Sequence, residues 1–245
     1  MRFIFLIQAR LGSTRLPRKV LEEIASGQPL IKIVYERIMR SSYANRKNTI
    51  VLTTDSPNDD ELVEYLKKEN ITCYRGCEHN VYDRYYKYLK SLSVLPEYFF
   101  RICADNPFIE PIFIDQLADS IKKDKSSADY ISFQDKHNTP AILTNYGLFC
   151  ELIKTKSFFD ACKYIETKEY AEHVTPIFYK SQYYKCRYLK IPKELCDYPF
   201  RMTIDTMEDL SIVRDISLLI DIKKTDYKQL VECVKSNVDK LLHVS

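Results

Sequence analysis

The strongest constraint on the fold is a rhythm in the first half of the chain. Short apolar runs at Phe3 to Ile7, Thr49 to Thr53, Ile71 to Tyr74 and Tyr98 to Ile102 alternate with segments whose apolar residues recur at helical spacing. A continuous run of this length suits a strand buried on both faces. Between the runs, Leu30, Ile33, Val34 and Ile38 mark one helix, and Leu62, Val63, Tyr65 and Leu66 a second. Two more are expected over Val81 to Leu92 and from about Pro111 to Lys123. Alternation of strands with helices predicts an α/β fold with a doubly wound, mostly parallel sheet. Such sheets bind ligands beyond the carboxyl ends of their strands, so the loops at 8–19, 53–55, 75–84 and 103–107 should share one edge.

From about Tyr130 the rhythm changes. Strands are expected at Tyr130 to Phe133, Leu143 to Phe149 and Tyr183 to Ile191, separated by longer Tyr-rich helical stretches. Arg201 to Asp205 reads as a last strand and the chain from Glu208 as helical. We expect one domain over 1–245, in which about 130–190 is an acceptor-binding and dimerisation elaboration. Its aromatic residues have no obvious partner in a compact sheet domain, which points to a homodimer.

The net charge of +3, from 37 basic and 34 acidic residues, comes without a basic tail or stripe. That argues against a nucleic-acid partner. No apolar stretch approaches the ~20 residues of a membrane span, and no signal-peptide pattern opens the chain. Of the eight cysteines only Cys73 and Cys77 are spaced like metal ligands, and no second pair follows. Reduced thiols in the cytoplasm are the simpler expectation.

The most informative segment is Gln8-Ala9-Arg10-Leu11-Gly12-Ser13-Thr14-Arg15-Leu16-Pro17-Arg18-Lys19. Four cations, a glycine and two hydroxyls directly after a buried strand are what a triphosphate needs: turn N–H groups, Arg forks and a Lys point charge. A solvated basic loop is the plainer alternative. The Walker pattern is absent, because no Gly-Lys-Ser/Thr opens a helix here.

This segment resembles the N-terminal signature of the cytidylyltransferases that make CMP-sugars, among them the acylneuraminate and 3-deoxy-manno-octulosonate enzymes. It is most similar to the SpsF-type branch of spore-coat polysaccharide biosynthesis, whose pattern reads I-Q-A-R-x-G-S-x-R-L-P-x-K. Arg18 departs from it, standing where the family usually has Gly. Further segments match in order: Thr53-Thr54-Asp55 with Asp59-Asp60, Arg75-Gly76 with Val81 to Tyr85, Arg101 to Pro107, Glu172-His173-Val174-Thr175-Pro176, and Arg201 to Leu210. In the last, Met207 replaces the family's Pro.

The resemblance implies a Rossmann-like sheet of nucleotide-diphospho-sugar transferase type. It also implies transfer of CMP from CTP to a sugar acid or related surface-polysaccharide precursor, with pyrophosphate released and Mg²⁺ required. Arg10, Lys19 and Asp105 become the catalytic candidates. Ala9, Arg10, Gly12, Ser13, Arg15 and Lys19 would hold the nucleotide, with Asp83 and Arg84 near the base. Arg75 either joins them or forms a surface salt bridge. Asp105 and Asp205, each at a predicted strand end, would hold the metal; the alternative for each is a turn or cap residue. Asp209 better suits the first turn of the last helix. Glu172 and His173 are the acceptor-side candidates, an ordinary structural histidine being the other reading of His173. A glycosyltransferase on a similar fold, or a paralogue that has lost catalysis, are the rival functions. The first would want an Asp-X-Asp, whereas Asp105-Asn106-Pro107 supplies one Asp.

Overall fold

A computed structural model describes residues 2–123, 127–165, 168–196 and 201–237. At its centre is a seven-stranded sheet built from β1 (Phe3–Gln8), β4 (Thr49–Thr54), β5 (Cys73–Gly76), β6 (Tyr98–Cys103), β7 (Tyr130–Gln134), β8 (Glu151–Lys154) and β9 (Cys186–Lys190). A small antiparallel pair, β2 (Glu23–Ala25) and β3 (Gln28–Pro29), lies apart from it. The order across the large sheet is β5-β4-β1-β6-β8-β7-β9. The pairings β5–β4, β4–β1, β1–β6 and β7–β9 are parallel, whereas β8 runs against both β6 and β7.

Period-two alternation splits the interior into two layers. Phe3, Phe5 and Ile7 of β1 face one apolar cluster, and Ile4 and Leu6 face the other. The first layer is covered by α1 (Leu30–Ile38), α2 (Asp60–Lys68), α4 (Pro111–Lys123), α9 (Met207–Leu219) and α10 (Tyr227–Ser236). The second is covered by α3 (Val81–Ser91), α5 (Thr155–Ala161) and α7 (Pro176–Tyr179). The second layer also has α6 (Lys168–His173), beside α3 and α7, and the first has α8 (Lys193–Cys196), beside α10. No helix among the described residues is long and apolar enough to cross a membrane.

Four of the expected strands differ, one of them only in where it starts: the strand expected over Tyr183 to Ile191 is β9, which begins at Cys186 after a turn at 182–184. The third begins at Cys73 rather than Ile71, because Asn70 adopts φ 55° and Ile71 N–H donates back to Leu66 O at 2.8 Å. Ile71 thus closes α2 before the strand starts. Residues 143–149 form no strand, and β8 follows only at Glu151. Gly147 turns the chain at φ 65°, where a Cβ would come within 2.6 Å of Met202 O. Residues 201–205 are not a strand either. Their backbone makes isolated bonds, Met202 N–H to Asn145 O (2.8 Å) and Ile204 N–H to Asp105 O (2.9 Å), that tie them to the ligand edge.

The 130–190 segment contributes three strands to the main sheet. Many of its aromatic rings find partners inside the chain: Tyr130 packs on Phe178, Tyr179 and Tyr188. The absence of internal partners, which suggested a dimer, therefore does not hold for these rings.

Candidate functional site

The basic loop is fastened from below by its apolar residues. Ala9, Leu11, Leu16 and Val20 are buried, and Gly12, Thr14 and Arg15 between them are exposed. Ala9 N–H donates to Leu52 O, and Ala104 N–H donates to Gln8 O, so the loop leaves the sheet between β4 and β6. The buried carboxylate of Asp59 is the main pin. It accepts from Leu11 N–H (2.7 Å), Thr53 Oγ1 (2.8 Å), Thr54 N–H (3.0 Å) and Thr54 Oγ1 (2.5 Å). Burial would raise its pKa, but these donors outweigh burial and leave it below the ordinary carboxylate value.

At the end of the loop Lys19 reaches across to the last β6 turn and to residues 204–205. Its Nζ donates to Asp105 Oδ2 and Asp205 Oδ1, both at 3.1 Å, and to Ile204 O at 2.8 Å. Burial pulls the pKa of this ammonium down, yet the two carboxylates outweigh burial and raise it above the ordinary lysine value. Asp205 is also paired with Arg15 (3.0 Å) and Arg201 (2.9 Å). Arg201 in turn holds Asp209, which accepts from Asp205 N–H and Thr206 N–H in the capping box of α9. Asp209 thus sits in the first helical turn, as expected.

Two adjoining cavities open here, of about 320 and 450 Å³. Ala9, Arg10, Ser13, Arg15, Lys19, Asp105, Asp205, Glu172 and His173 all line the smaller one. These residues span the chain from 9 to 205, and the fold gathers them at one sheet edge. His173 ends α6 and is followed by Val174 at φ 66°, a strained setting for a β-branched residue that turns the chain into α7. The larger cavity runs on past His173 to Thr144, Asn145, Tyr179 and Thr203.

Four of the expected nucleotide residues lie outside these linings. Gly12 is exposed near them. Arg75 donates to Thr54 O and Ser56 O and pairs with Asp60 at 2.7 Å. Asp83 sits in the first turn of α3, with Asn80 capping its N–H, and pairs with Lys87. Arg84 is fully buried and donates to Cys77 O and Glu78 O, bracing the turn before α3. Its packing explains Gly76, where a Cβ would come within 3.0 Å of Arg84 Cγ.

Arg18 has φ 64°, the left-handed region in which glycine is at ease, so a Gly at this position has a conformational reason. Its guanidinium faces away from the cavities and forks onto Glu61. The extra positive charge it adds to the loop is therefore already matched.

Sequence reasoning gave no role to Asp59, nor to a buried group beneath the cavities made by Arg101, Glu151, Gln8 and Tyr130. Arg101 Nη1 donates to Glu151 Oε2 at 2.5 Å and Nη2 to Gln8 Oε1 at 3.2 Å. Tyr130 Oη donates to the other oxygen of Glu151 at 2.6 Å. One signal was available: Arg101 interrupts the apolar run Tyr98-Phe99-Phe100-Arg101-Ile102.

A cytidylyltransferase family model matches residues 4–242. The spore coat polysaccharide biosynthesis protein SpsF of Bacillus subtilis is 31% identical over 216 residues, which is 86% of this chain and 84% of SpsF. Among solved structures, a cytidylyltransferase from Leptospira borgpetersenii superposes with a TM-score of 0.85 at 24% identity, covering 100% of this chain and 98% of the other. A CMP:2-keto-3-deoxy-manno-octonic acid synthetase complexed with CTP superposes with a TM-score of 0.67 at 16% identity, covering 89% and 99%. The last two comparisons speak for the fold, and the first two place the sequence: the chain belongs to the cytidylyltransferase family and is a nucleotidyltransferase.

Proposed function

We propose that the protein transfers CMP from CTP to a hydroxyl of a sugar acid or related surface-polysaccharide precursor, releasing pyrophosphate, with Mg²⁺ as cofactor. One observation carries the reading: Lys19, at the end of the basic loop, meets both Asp105 and Asp205 at the mouth of a cavity lined by Arg10, Ser13 and Arg15. Phosphate-binding cations and a pair of carboxylates thus converge on one spot from three distant parts of the chain. The relatives support the chemistry, since SpsF is named for spore coat polysaccharide biosynthesis and the octonic acid synthetase was solved with CTP.

The donor set fits magnesium. Asp105 and Asp205 are hard oxygen ligands, partly exposed to the cavity, and Mg²⁺ takes one or two carboxylates together with phosphate oxygens and water. Among the described residues no cluster of three or more metal-binding side chains occurs, which suits an ion completed by its nucleotide. When bound, Mg²⁺ would neutralise phosphate charge at the reacting centre. The chain's own residues do the rest by positioning. Arg10, Arg15 and Lys19 neutralise the triphosphate, Ser13 donates to it, and the cavity beyond His173 receives the acceptor. Asp105 and Asp205 anchor the metal side of the site.

The same reading includes a cytoplasmic homodimer. The exposed stack of Tyr164 on Tyr183, centroids 5.6 Å apart, offers an apolar surface for a second copy. Pyrophosphate release measured across four NTPs and a panel of acceptor sugars, with and without Mg²⁺, tests the function. Turnover with CTP, metal and a sugar acid is expected; equal use of ATP, GTP or UTP would remove the cytidine assignment.

A further inference from the structure

Arg101 is a charged group at the cavities that the proposed reaction leaves unused. It lies on β6 in register with Leu6 of β1 and Glu151 of β8. Its side chain shares the sheet face of Phe99 and Tyr85, where the pattern calls for an apolar residue. The side chain is only 6% exposed, yet it lines both cavities. The other linings common to the two are Arg15, Cys103, Asp105, His173 and Asp205. Arg101 therefore forms the floor where the nucleotide cavity meets the acceptor cavity.

Such a group is poorly suited to be a mere prop. Replacing a buried ion pair by apolar residues of similar volume is often neutral or stabilising, so the pair is weak evidence for stability. Nor is its hydrogen bonding complete. A guanidinium carries five N–H donors, and those of Arg101 are met by Glu151 and Gln8, with Nε buried and without a partner. Held from two sides, the fork is rigid before any ligand arrives. A fixed cation aimed at the place where charge develops is an effective form of catalytic stabilisation.

The atom that must occupy the junction follows from the reaction. The acceptor hydroxyl oxygen forms a bond to the α-phosphorus, while the bond from that phosphorus to pyrophosphate breaks and its electron pair leaves with the pyrophosphate. The hydroxyl proton passes to water. Nucleotide on one side and acceptor on the other place the α-phosphate between the two cavities. We propose that Arg101 is a catalytic residue whose guanidinium contacts the non-bridging oxygens of the α-phosphate, with Glu151 and Gln8 fixing its direction. This rests on the cytidylyl-transfer reading above.

The test uses the double variant R101M/E151Q. It removes the cation without stranding a buried carboxylate, and the amide introduced in place of Glu151 still offers an oxygen to Tyr130. Cytidine and CMP, which differ only by the α-phosphate, are titrated against wild type and variant by calorimetry. Cytidine should bind both equally, whereas CMP should bind the variant about ten- to a hundredfold more weakly, as expected for a lost charge-assisted hydrogen bond. CTP-dependent pyrophosphate release should fall by about a hundredfold or more, without a matching rise in the acceptor KM. An unchanged preference for CMP over cytidine would make Arg101 a structural group and overturn the proposal. So would a variant whose acceptor KM alone changes. If wild type binds neither ligand, the cytidine reading itself falls, an outcome distinct from failure of Arg101 alone. Should the double variant not fold, R101K keeps the pair with Glu151 but loses the fork, and the same CMP-to-cytidine ratio decides.

Discussion

Replacing Asp59 by asparagine should loosen the basic loop and the whole protein together. The native carboxylate presents Oδ1 to Leu11 N–H and Oδ2 to Thr54 N–H and two threonine hydroxyls. An amide has one oxygen and one NH₂. The hydroxyls can rotate to accept, but the backbone groups cannot, so either orientation points an NH₂ at a buried N–H. An unsatisfied buried donor costs about 1–3 kcal/mol, and the remaining bonds lose their charge assistance, giving roughly 2–4 kcal/mol in total. For a chain of this size that is a fall in Tm of roughly 4–16 °C. The sign with pH follows from the depressed pKa of Asp59. A carboxylate whose folded pKa lies below its unfolded value contributes fully above the unfolded value and loses that contribution as pH falls through the folded one. The gap between wild type and D59N, measured by urea unfolding, should thus be constant from about pH 5 to 8 and narrow below about pH 4. CTP titration at pH 7 should show weaker binding by the folded variant, because Leu11 no longer anchors residues 12–15. A variant within about 0.5 kcal/mol of wild type, the usual range for neutral surface changes, with unchanged CTP affinity, would refute the pin.

Gly12→Ala should leave Tm unchanged, since a Cβ there meets only Glu78 Oε1 at 3.9 Å; CTP affinity should still fall about tenfold if phosphate needs close approach to this backbone, and equal affinity would remove the glycine from the site. Arg18→Gly should change CTP affinity less than about twofold, because the guanidinium is held by Glu61 away from the cavities and exposed pairs matter little; a larger loss in a titration would show that it reaches phosphate. Asp105→Asn should cut pyrophosphate release by about a hundredfold or more while metal-free CTP binding persists; near-normal turnover would make Asp105 a turn residue. Lys19→Met should weaken CTP binding yet tighten Mg²⁺ binding to the free protein, as read by calorimetry, because it removes the cation from between two carboxylates; unchanged Mg²⁺ affinity would count against Asp105 and Asp205 as ligands.

What could be read from the sequence was whatever depends on local pattern. The α4 helix begins at Pro111 and ends at Lys123 as its spacing predicts, and the buried runs of β1, β4 and β6 lie within a residue of expectation. The misses have tertiary causes. Ile71 is apolar because it plugs the end of α2, which a run of apolar letters cannot distinguish from the start of a strand. Residues 143–149 have strand composition, but Gly147 must pass close over Met202, a contact 55 positions away in sequence. At the site, the convergence of 9–19 with 105 was legible through strand ends, whereas Asp205, which ends no strand, could be placed there only by motif order. The division of labour among the carboxylates was not legible. Asp59 and Asp105 both follow strands, and only the burial of one and the exposure of the other separate a pin from a candidate ligand.

The charge balance of the site bears on how a ligand enters it. Asp105 and Asp205 are each 3.1 Å from Lys19 Nζ, hence no more than twice that distance apart. Two carboxylates this close repel unless a cation stands between them. Lys19 supplies it, and its raised pKa keeps the ammonium charged across neutral pH. Arg15 and Arg201 add two further cations on Asp205. The two carboxylates are therefore already matched by cations of the chain. On the proposed reading, Asp105 and Asp205 would hold the divalent ion, and Lys19 and Arg15 would then be available to the phosphates. Nucleotide and metal would then favour each other's binding, because each would remove a charge that the other leaves unmatched. A basic loop whose cations pair with carboxylates is thus consistent with the proposed phosphate binding. The ion pairs keep Lys19 and Arg15 within reach of the place where the phosphates arrive.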